Sequence, residues 1–419
     1  MQQTIFETII HCGISTQSWD IHSFDVTAAF LQGDEMKRDV FVLPPEEFRE
    51  EGKVWKLIRT MYGLNDAPRE WYNRVEHELT LRHGKRSSFD NALFIWHNEQ
   101  GELIGILALH VDDFSYCGTQ FWHSTVIQPI ITDVFKISSC EMNSFLYIGL
   151  HVVQTSRTIY IDQEAYIKSL NPVELTTLQV ENTDRVLPSE EKKILRSMSG
   201  KLLWVTSQTR PDVAFDSCVI SNYGKTPTVK NLFDVNKAIK KLQSTELKLS
   251  FPNLGEKNSI EVKVYGDATH ASLPSGASQG AFIAFLCGNN YVAPITWKSK
   301  KLDRVTKSPL ASETMALAEA ADNGFLIAKM TQEVFGLNVL PKVTCFTDNK
   351  SLYDNLQSSK IVQDSRLRVD IARIREMVHL GEINVVWVDK TKQLADPLTK
   401  AGASCTRLLQ VLRTGAISG

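Results

Sequence analysis

The chain has almost no net charge, no clustered cysteines and no long apolar run, and each absence removes a class of function. Lys and Arg number 46 against 48 Asp and Glu, a formal charge of −2. No global field therefore draws the chain to nucleic acid, and any such binding must come from local basic patches. The seven cysteines stand singly at 12, 117, 140, 218, 287, 345 and 405, with no CxxC and no Cys/His group at zinc-ligand spacing. Reduced, mostly buried thiols in an intracellular protein are expected, not a disulfide framework. No basic stretch followed by an apolar core opens the sequence, and no apolar run approaches the ~20 residues of a membrane span. A soluble chain with no membrane partner is expected. The remainder is ordinary for globular protein: 419 residues, 43% hydrophobic and 22% charged, enough for two or three domains with a substantial core.

Against that background stand two adjacent carboxylates, Asp112 and Asp113. Residues 101–109 before them are nearly all apolar, the pattern of a strand buried on both faces. Beyond them Phe114-Ser115-Tyr116-Cys117-Gly118 alternates and stops at glycine, as a return strand does. An Asp pair at such a turn is, alone, ordinary turn chemistry. Upstream, Asp25 lies in the strand-like stretch 19–31 among apolar residues, where an unpaired charge is costly to bury. Three carboxylates converging on one sheet edge suggest a divalent metal.

Residues 4–12 repeat apolar positions at helical spacing. Asp66 and Pro68 sit where an N-cap and early proline open a helix whose apolar face is Trp71, Tyr72, Val75 and Leu79. From about 164 to 249 the composition turns helical, with apolar stripes and lysines on other faces. A β pattern begins near Ile260 and ends in Asp267; two further strands flank Gly288-Asn289-Asn290. Ser308-Pro309 starts a helix carrying Glu313, residues 342–348 form a strand ending in Asp348, and Asp396-Pro397 opens a final helix. Each acid singly reads as a cap or turn residue; in this order they point to a shared metal site. Lys298, Lys300, Lys301, Arg304 and Lys307 form a basic segment, and Arg366, Arg368, Arg373 and Arg375 fall along one helix. Such patches either track the phosphates of a nucleic acid or simply solvate a face.

Residues 24–33 (Phe24-Asp25-Val26-Thr27-Ala28-Ala29-Phe30-Leu31-Gln32-Gly33), the run Met61-Tyr62-Gly63-Leu64-Asn65-Asp66-Ala67-Pro68-Arg69-Glu70-Trp71-Tyr72, and Val111-Asp112-Asp113 resemble, in order and spacing, the palm motifs of reverse transcriptases of copia-type LTR retrotransposons. Thr209-Arg210-Pro211-Asp212 resembles a segment that links their thumb to the next domain. Trp297-Lys298-Ser299-Lys300-Lys301, Ser312-Glu313-Thr314, Thr347-Asp348-Asn349 and Gln393-Leu394-Ala395-Asp396 resemble the copia-type ribonuclease H.

The resemblance implies the C-terminal part of a Pol polyprotein that lacks the N-terminal fingers segment. Its fold would be the α+β palm and thumb of a reverse transcriptase, then an α/β ribonuclease H-like domain with a mixed sheet. The implied division is palm 1–163, mostly helical thumb and connection 164–257, ribonuclease H-like domain 258–402 and tail 403–419. RNA-directed DNA polymerase and ribonuclease H activities are implied, with Asp25, Asp112 and Asp113 as catalytic metal ligands of one site and Asp267, Glu313, Asp348 and Asp396 as those of the other. Phe30, Tyr62 and Gly63 would face nucleotide and template, although Phe30 by itself reads as a core aromatic. Lys298, Lys300 and Lys301 would touch nucleic acid. Each site would take two Mg²⁺ or Mn²⁺ ions about 3.5–4 Å apart, bound by hard oxygen ligands. The implied partners are an RNA/DNA hybrid, primer-template and deoxynucleoside triphosphates, besides other Pol segments or a second copy; the implied location is intracellular, a cytoplasmic retroelement particle if the chain is part of an active element and otherwise open. His110 stands where the family commonly has Tyr, and Val388-Asp389-Lys390 where some ribonucleases H carry a histidine that helps product leave. The alternative is an inactive or co-opted remnant that binds nucleic acid without catalysis.

Overall fold

The computed structural model describes residues 19–156, 158–273, 275–358 and 364–417; the helix expected over 4–12 lies outside them. The chain divides into two compact units, residues 19–148 and, among the described residues, 149–417.

In the first unit the strands are β1 (His22–Val26), a short ribbon of β2 (Phe41–Val42) and β3 (Trp55–Lys56), then β4 (Lys85–Arg86), β5 (Leu93–His97), β6 (Leu103–His110), β7 (Asp113–Gly118) and β8 (Ile137–Met142). All but the ribbon join one antiparallel sheet in the order β4-β5-β6-β7-β1-β8. Helix α1 (Ala67–Leu81) buries Trp71, Val75 and Leu79 as its spacing predicts, with Pro68 in its first turn. Asp66 does not cap it. Its backbone is helical (φ −92°, ψ −11°) rather than extended as a capping side chain requires, and its carboxylate pairs instead with the Arg38 guanidinium at 2.8–3.0 Å. On β6 and β7, Gly105 and Gly118 leave room for the buried Trp122 indole: a Cβ at either would come within 2.2 or 2.4 Å of that ring. Trp122 ends a single helical turn, Gln120–Trp122, which continues as π-helical turns His123–Ile127 and Ile130–Val134.

In the second unit β10 (Leu150–Gln154), β11 (Thr158–Asp162) and β12 (Leu249–Pro252) pair antiparallel, β9 (Ser144–Tyr147) having closed the first unit. Between β11 and β12, helices α2 (Ser189–Gln208), α3 (Ala214–Ser221) and α4 (Val229–Ser244) share a core that includes Leu195, Leu202, Val205, Val235, Ile239 and Leu242. The turn from α2 to α3 is held by Arg210, 1% exposed. Its guanidinium forks onto Asp212 at 2.9 and 2.8 Å and donates to the Leu242 carbonyl of α4 at 2.8 Å.

A mixed sheet follows, β15-β14-β13-β16-β17, built of β13 (Glu261–Thr269), β14 (Gln279–Gly288), β15 (Tyr291–Lys301), β16 (Val343–Thr347) and β17 (Asn384–Trp387). The first three run antiparallel, with Asn289 and Asn290 both at positive φ in the tight β14–β15 turn. Strands β16 and β17 lie parallel to β13, so each needs a crossover. Helix α5 (Pro309–Phe335) supplies the first, and α6 (Lys350–Gln357) with α7 (Ser365–His379) the second. Ser308 caps α5 as expected, accepting from the Ala311 N–H at 3.2 Å. Asp396-Pro397 opens only a 3-10 turn, Asp396–Leu398; the last helix is α8 (Thr406–Thr414), in a tail without a sequence signal. Among the described residues no helix is long and apolar enough to cross a membrane.

Removing the Arg210 side chain would strand a buried carboxylate. Arg210→Met is expected to destabilise the chain by about 3–5 kcal/mol, measured as a fall in the urea midpoint at constant m-value; a change below about 1 kcal/mol, the range of an exposed pair, would contradict this role.

Candidate active sites

In the first unit Asp25 on β1 faces Asp113 on β7 as its cross-strand partner. The β6–β7 hairpin turns through Val111 and Asp112. Val111 sits at φ +59°, a region that disfavours a β-branched residue. The turn is held there from two sides: the Trp71 indole donates to the Val111 carbonyl at 2.5 Å, and the Val26 N–H donates to the Asp112 carbonyl at 3.0 Å. The Asp113 carboxyl lies above the usual range because it is partly buried and faces Asp112 and Asp25; His110, its partner across the hairpin, pulls the other way. Ser138 Oγ bonds the Asp25 carboxylate, and the Tyr62 hydroxyl lies 3.4 Å from Asp112 Oδ2. The ring of Phe30, only 7% exposed, packs in the core beneath Tyr62 with centroids 4.5 Å apart. Gly63 follows at φ +97°, which a residue with a side chain rarely adopts.

The second unit gathers its acids more tightly. Among the described residues, Asp267, Glu313 and Asp348 are the one group of three that each bring an oxygen within 4.8 Å of the others; Asp25, Asp112 and Asp113 share a sheet edge without converging that far. Parallel pairing of β13 with β16 brings Asp267 and Asp348 to the same end of the sheet, and Glu313 arrives near the N-terminus of α5. Asp267 is 1% exposed and Glu313 9%. Burial is the first cause that pushes Asp267 up to about 6 and Glu313 up to about 9; neighbouring carboxylates add to it, while Lys400 opposes. Asp348 is raised for the same first reason. Asp267 Oδ1 and Glu313 Oε2 are buried without a hydrogen-bond partner. Hard, crowded oxygens with unused lone pairs suit a small divalent cation.

Asp396 comes to the same place on its 3-10 turn. Buried Gln393 ties the preceding loop to β13, donating to the Gly266 carbonyl at 2.9 Å. Lys400 Nζ pairs with the Asp396 carboxylate and lies 3.5 Å from Asp267 Oδ2, which also accepts from the Thr399 hydroxyl. His270, three residues past Asp267, has Nδ1 within 3.1–3.3 Å of the hydroxyls of Thr306, Ser312 and Ser278, linking the end of β13 to the start of α5.

Strand alternation separates the three predicted lysines. Lys298 and Lys300 both reach Glu319 on α5, at 3.1 and 2.9 Å, and Lys300 also meets Asp303. Lys301 points to the other face and joins Lys230, Lys237 and Lys241 in lining a groove within this unit. Sequence reasoning missed Ser138, Thr399, Lys400 and the Glu319 clasp. Only Lys400 had a local signal, its position four residues after Asp396, one helical turn away.

Because the folded chain holds protons on Glu313 and Asp267 well above the roughly 4 of an unfolded carboxyl, it binds more protons than the unfolded chain as pH rises. That stability is complete below the unfolded value and is lost as pH passes about 6 and then about 9. The melting temperature of chelator-treated protein is expected to fall across this window, and Glu313→Gln to flatten its upper part. An unchanged slope in the variant would contradict the assignment.

The reverse transcriptase (RNA-dependent DNA polymerase) family profile matches residues 9–186. The chain is 26% identical over 404 residues to a retrovirus-related Pol polyprotein from transposon RE1 of Arabidopsis thaliana, covering 92% of this chain and 26% of that protein. To the Pol polyprotein from transposon TNT 1-94 of Nicotiana tabacum it is 25% identical, covering 96% of this chain and 31% of the relative. It thus spans between a quarter and a third of their length. Among solved structures, a foamy viral protease-reverse transcriptase in complex with an RNA/DNA hybrid superposes with a TM-score of 0.50 at 14% identity, covering 95% of this chain and 47% of that one. The fold is that of a reverse transcriptase palm and thumb followed by a ribonuclease H-like domain with a mixed sheet. Over most of its length the chain is similar to the Pol polyproteins of copia-type retrotransposons, with its reverse transcriptase match at residues 9–186.

Proposed function

We propose that the second unit cleaves the RNA strand of RNA/DNA hybrids and that the first is the palm of an RNA-directed DNA polymerase. The observation that carries the reading is the convergence of Asp267, Glu313 and Asp348 on two buried, unpartnered oxygens. Burial without a partner is costly for a carboxylate, and a structural role would have supplied donors. Mg²⁺ or Mn²⁺, held by these three acids and Asp396, two ions to a site, supplies charge neutralisation and a nucleophilic oxygen for phosphoryl transfer.

The chain's own residues do the rest. Gln393 and the His270 hydroxyl web hold the acids in register, and Lys301 with the lysines of its groove meets backbone phosphates. In the palm, Asp25, Asp112 and Asp113 would hold the ions for a primer 3′-hydroxyl and a deoxynucleoside triphosphate, while Tyr62, backed by the buried Phe30, and Gly63 bound the nucleotide. The proposed division is palm to residue 163, thumb and connection 164–257, and ribonuclease H-like domain 258–402.

The test is Mg²⁺-dependent cleavage of the RNA strand in a labelled hybrid. Asp348→Asn is expected to reduce it by about a hundredfold or more, since even residues that only support a metal ligand cost 10–100-fold. Primer extension followed in the same tubes, against Asp113→Asn, reports the palm separately. A folded wild-type chain that binds hybrid without cutting it would overturn the nuclease assignment.

A further inference from the structure

We propose that Lys400 is a tethered cation that fills one half of the nuclease site, so that divalent ions enter its two halves with unequal affinity. The inference rests on the metal-dependent reading above.

The two oxygens of Asp267 are in different situations. Oδ1 is buried and has no partner, and the same is true of Glu313 Oε2. With Asp348 they outline a half-site of carboxylate oxygens. Oδ2 is already engaged: the Thr399 hydroxyl donates to it, and the Lys400 ammonium stands 3.5 Å away while pairing with Asp396. The space between Asp267 Oδ2 and the Asp396 carboxylate is therefore taken by a positive charge belonging to the chain, which any second ion using Asp396 would have to meet. An ammonium and a divalent ion repel one another and compete for the same oxygens.

The backbone fixes this arrangement. Asp396 and Lys400 flank the 3-10 turn Asp396–Leu398, which places the lysine one turn beyond its acid, and Thr399 between them is fully buried. The lysine stem is not locked. Its side chain is 29% exposed, and a flexible four-carbon stem can withdraw the ammonium into water. An ion entering at Asp267 Oδ1, Glu313 and Asp348 displaces no side chain, only the proton that Glu313 holds, whereas one entering beside Asp396 must drive Lys400 out. Lys400 is thus a positioning residue that sets the second affinity and shields Asp396 from Asp267 until that ion arrives.

Binding can be read without turnover. Mn²⁺ titration of the full chain carrying Asp112→Asn and Asp113→Asn, so that palm ions do not enter the count, followed by the free-ion electron paramagnetic resonance signal, is expected to show a tight and a weak class. Lys400→Met should tighten the weak class by about tenfold or more, as close charge pairs are commonly coupled this strongly, and Lys400→Arg should keep it weak. If Lys400→Met does not fold, Lys400→Gln, with a polar tip for Asp396, serves the same comparison. Equal or weaker binding of the second ion in the neutral variant overturns the inference and leaves the nuclease reading standing. Absence of Mn²⁺ binding in wild type and variant overturns both.

Discussion

The mutual repulsion of carboxylates buried at one end of β13 is the constraint on which the rest of the second unit depends. Asp267 and Glu313 are nearly inaccessible to water, and burial pushes both carboxyls up, Glu313 as far as about 9, so that Glu313 holds its proton at neutral pH. The topology enforces this crowding. Parallel strands β13 and β16 end on the same side, and the crossover α5 begins there, so that three acids from three elements meet. Gln393, Thr399 and Lys400 then bring in a fourth acid and part of the charge compensation. Unpartnered lone pairs at such depth are costly, and two of them face one another's carboxylates here.

The first unit stores its tension in the backbone instead. Val111 is held at positive φ by an indole and an amide from separate elements, which sets Asp112 and Asp113 beside Asp25. Its carboxylates are more open to solvent and more widely spaced, and Ser138 and Tyr62 already occupy some of their oxygens. The two acid sites therefore differ in kind. One is a compact, desolvated cluster with orphaned oxygens, the other a looser edge whose geometry is fixed by a strained turn.

Much of this was legible in the sequence. The apolar run before Asp112-Asp113, the apolar face of α1, the Ser308 cap of α5 and the Asn289-Asn290 turn all follow from local rules, and the structure repeats them, whereas the alternation of residues 114–118 is buried on both faces in β7. What was not legible depended on partners distant in sequence. Asp66 carried a capping signal but met Arg38; Lys298 and Lys300 formed a basic run whose strand alternation sends them to Glu319. The expected final helix at Asp396 proved to be one tight turn, because Asp396, Thr399 and Lys400 are drawn onto the acid cluster rather than into a helical ladder. Periodicity reports which face of an element is buried; it does not report what lies opposite.

The most direct test of the central claim is a crystal structure of the chain grown with Mn²⁺, examined by anomalous scattering. The account predicts a peak bonded to an oxygen of each of Asp267, Glu313 and Asp348, with the Asp267 Oδ1 and Glu313 Oε2 atoms no longer without partners. Strong anomalous peaks elsewhere, with these three carboxylates unchanged and unbound, would contradict it.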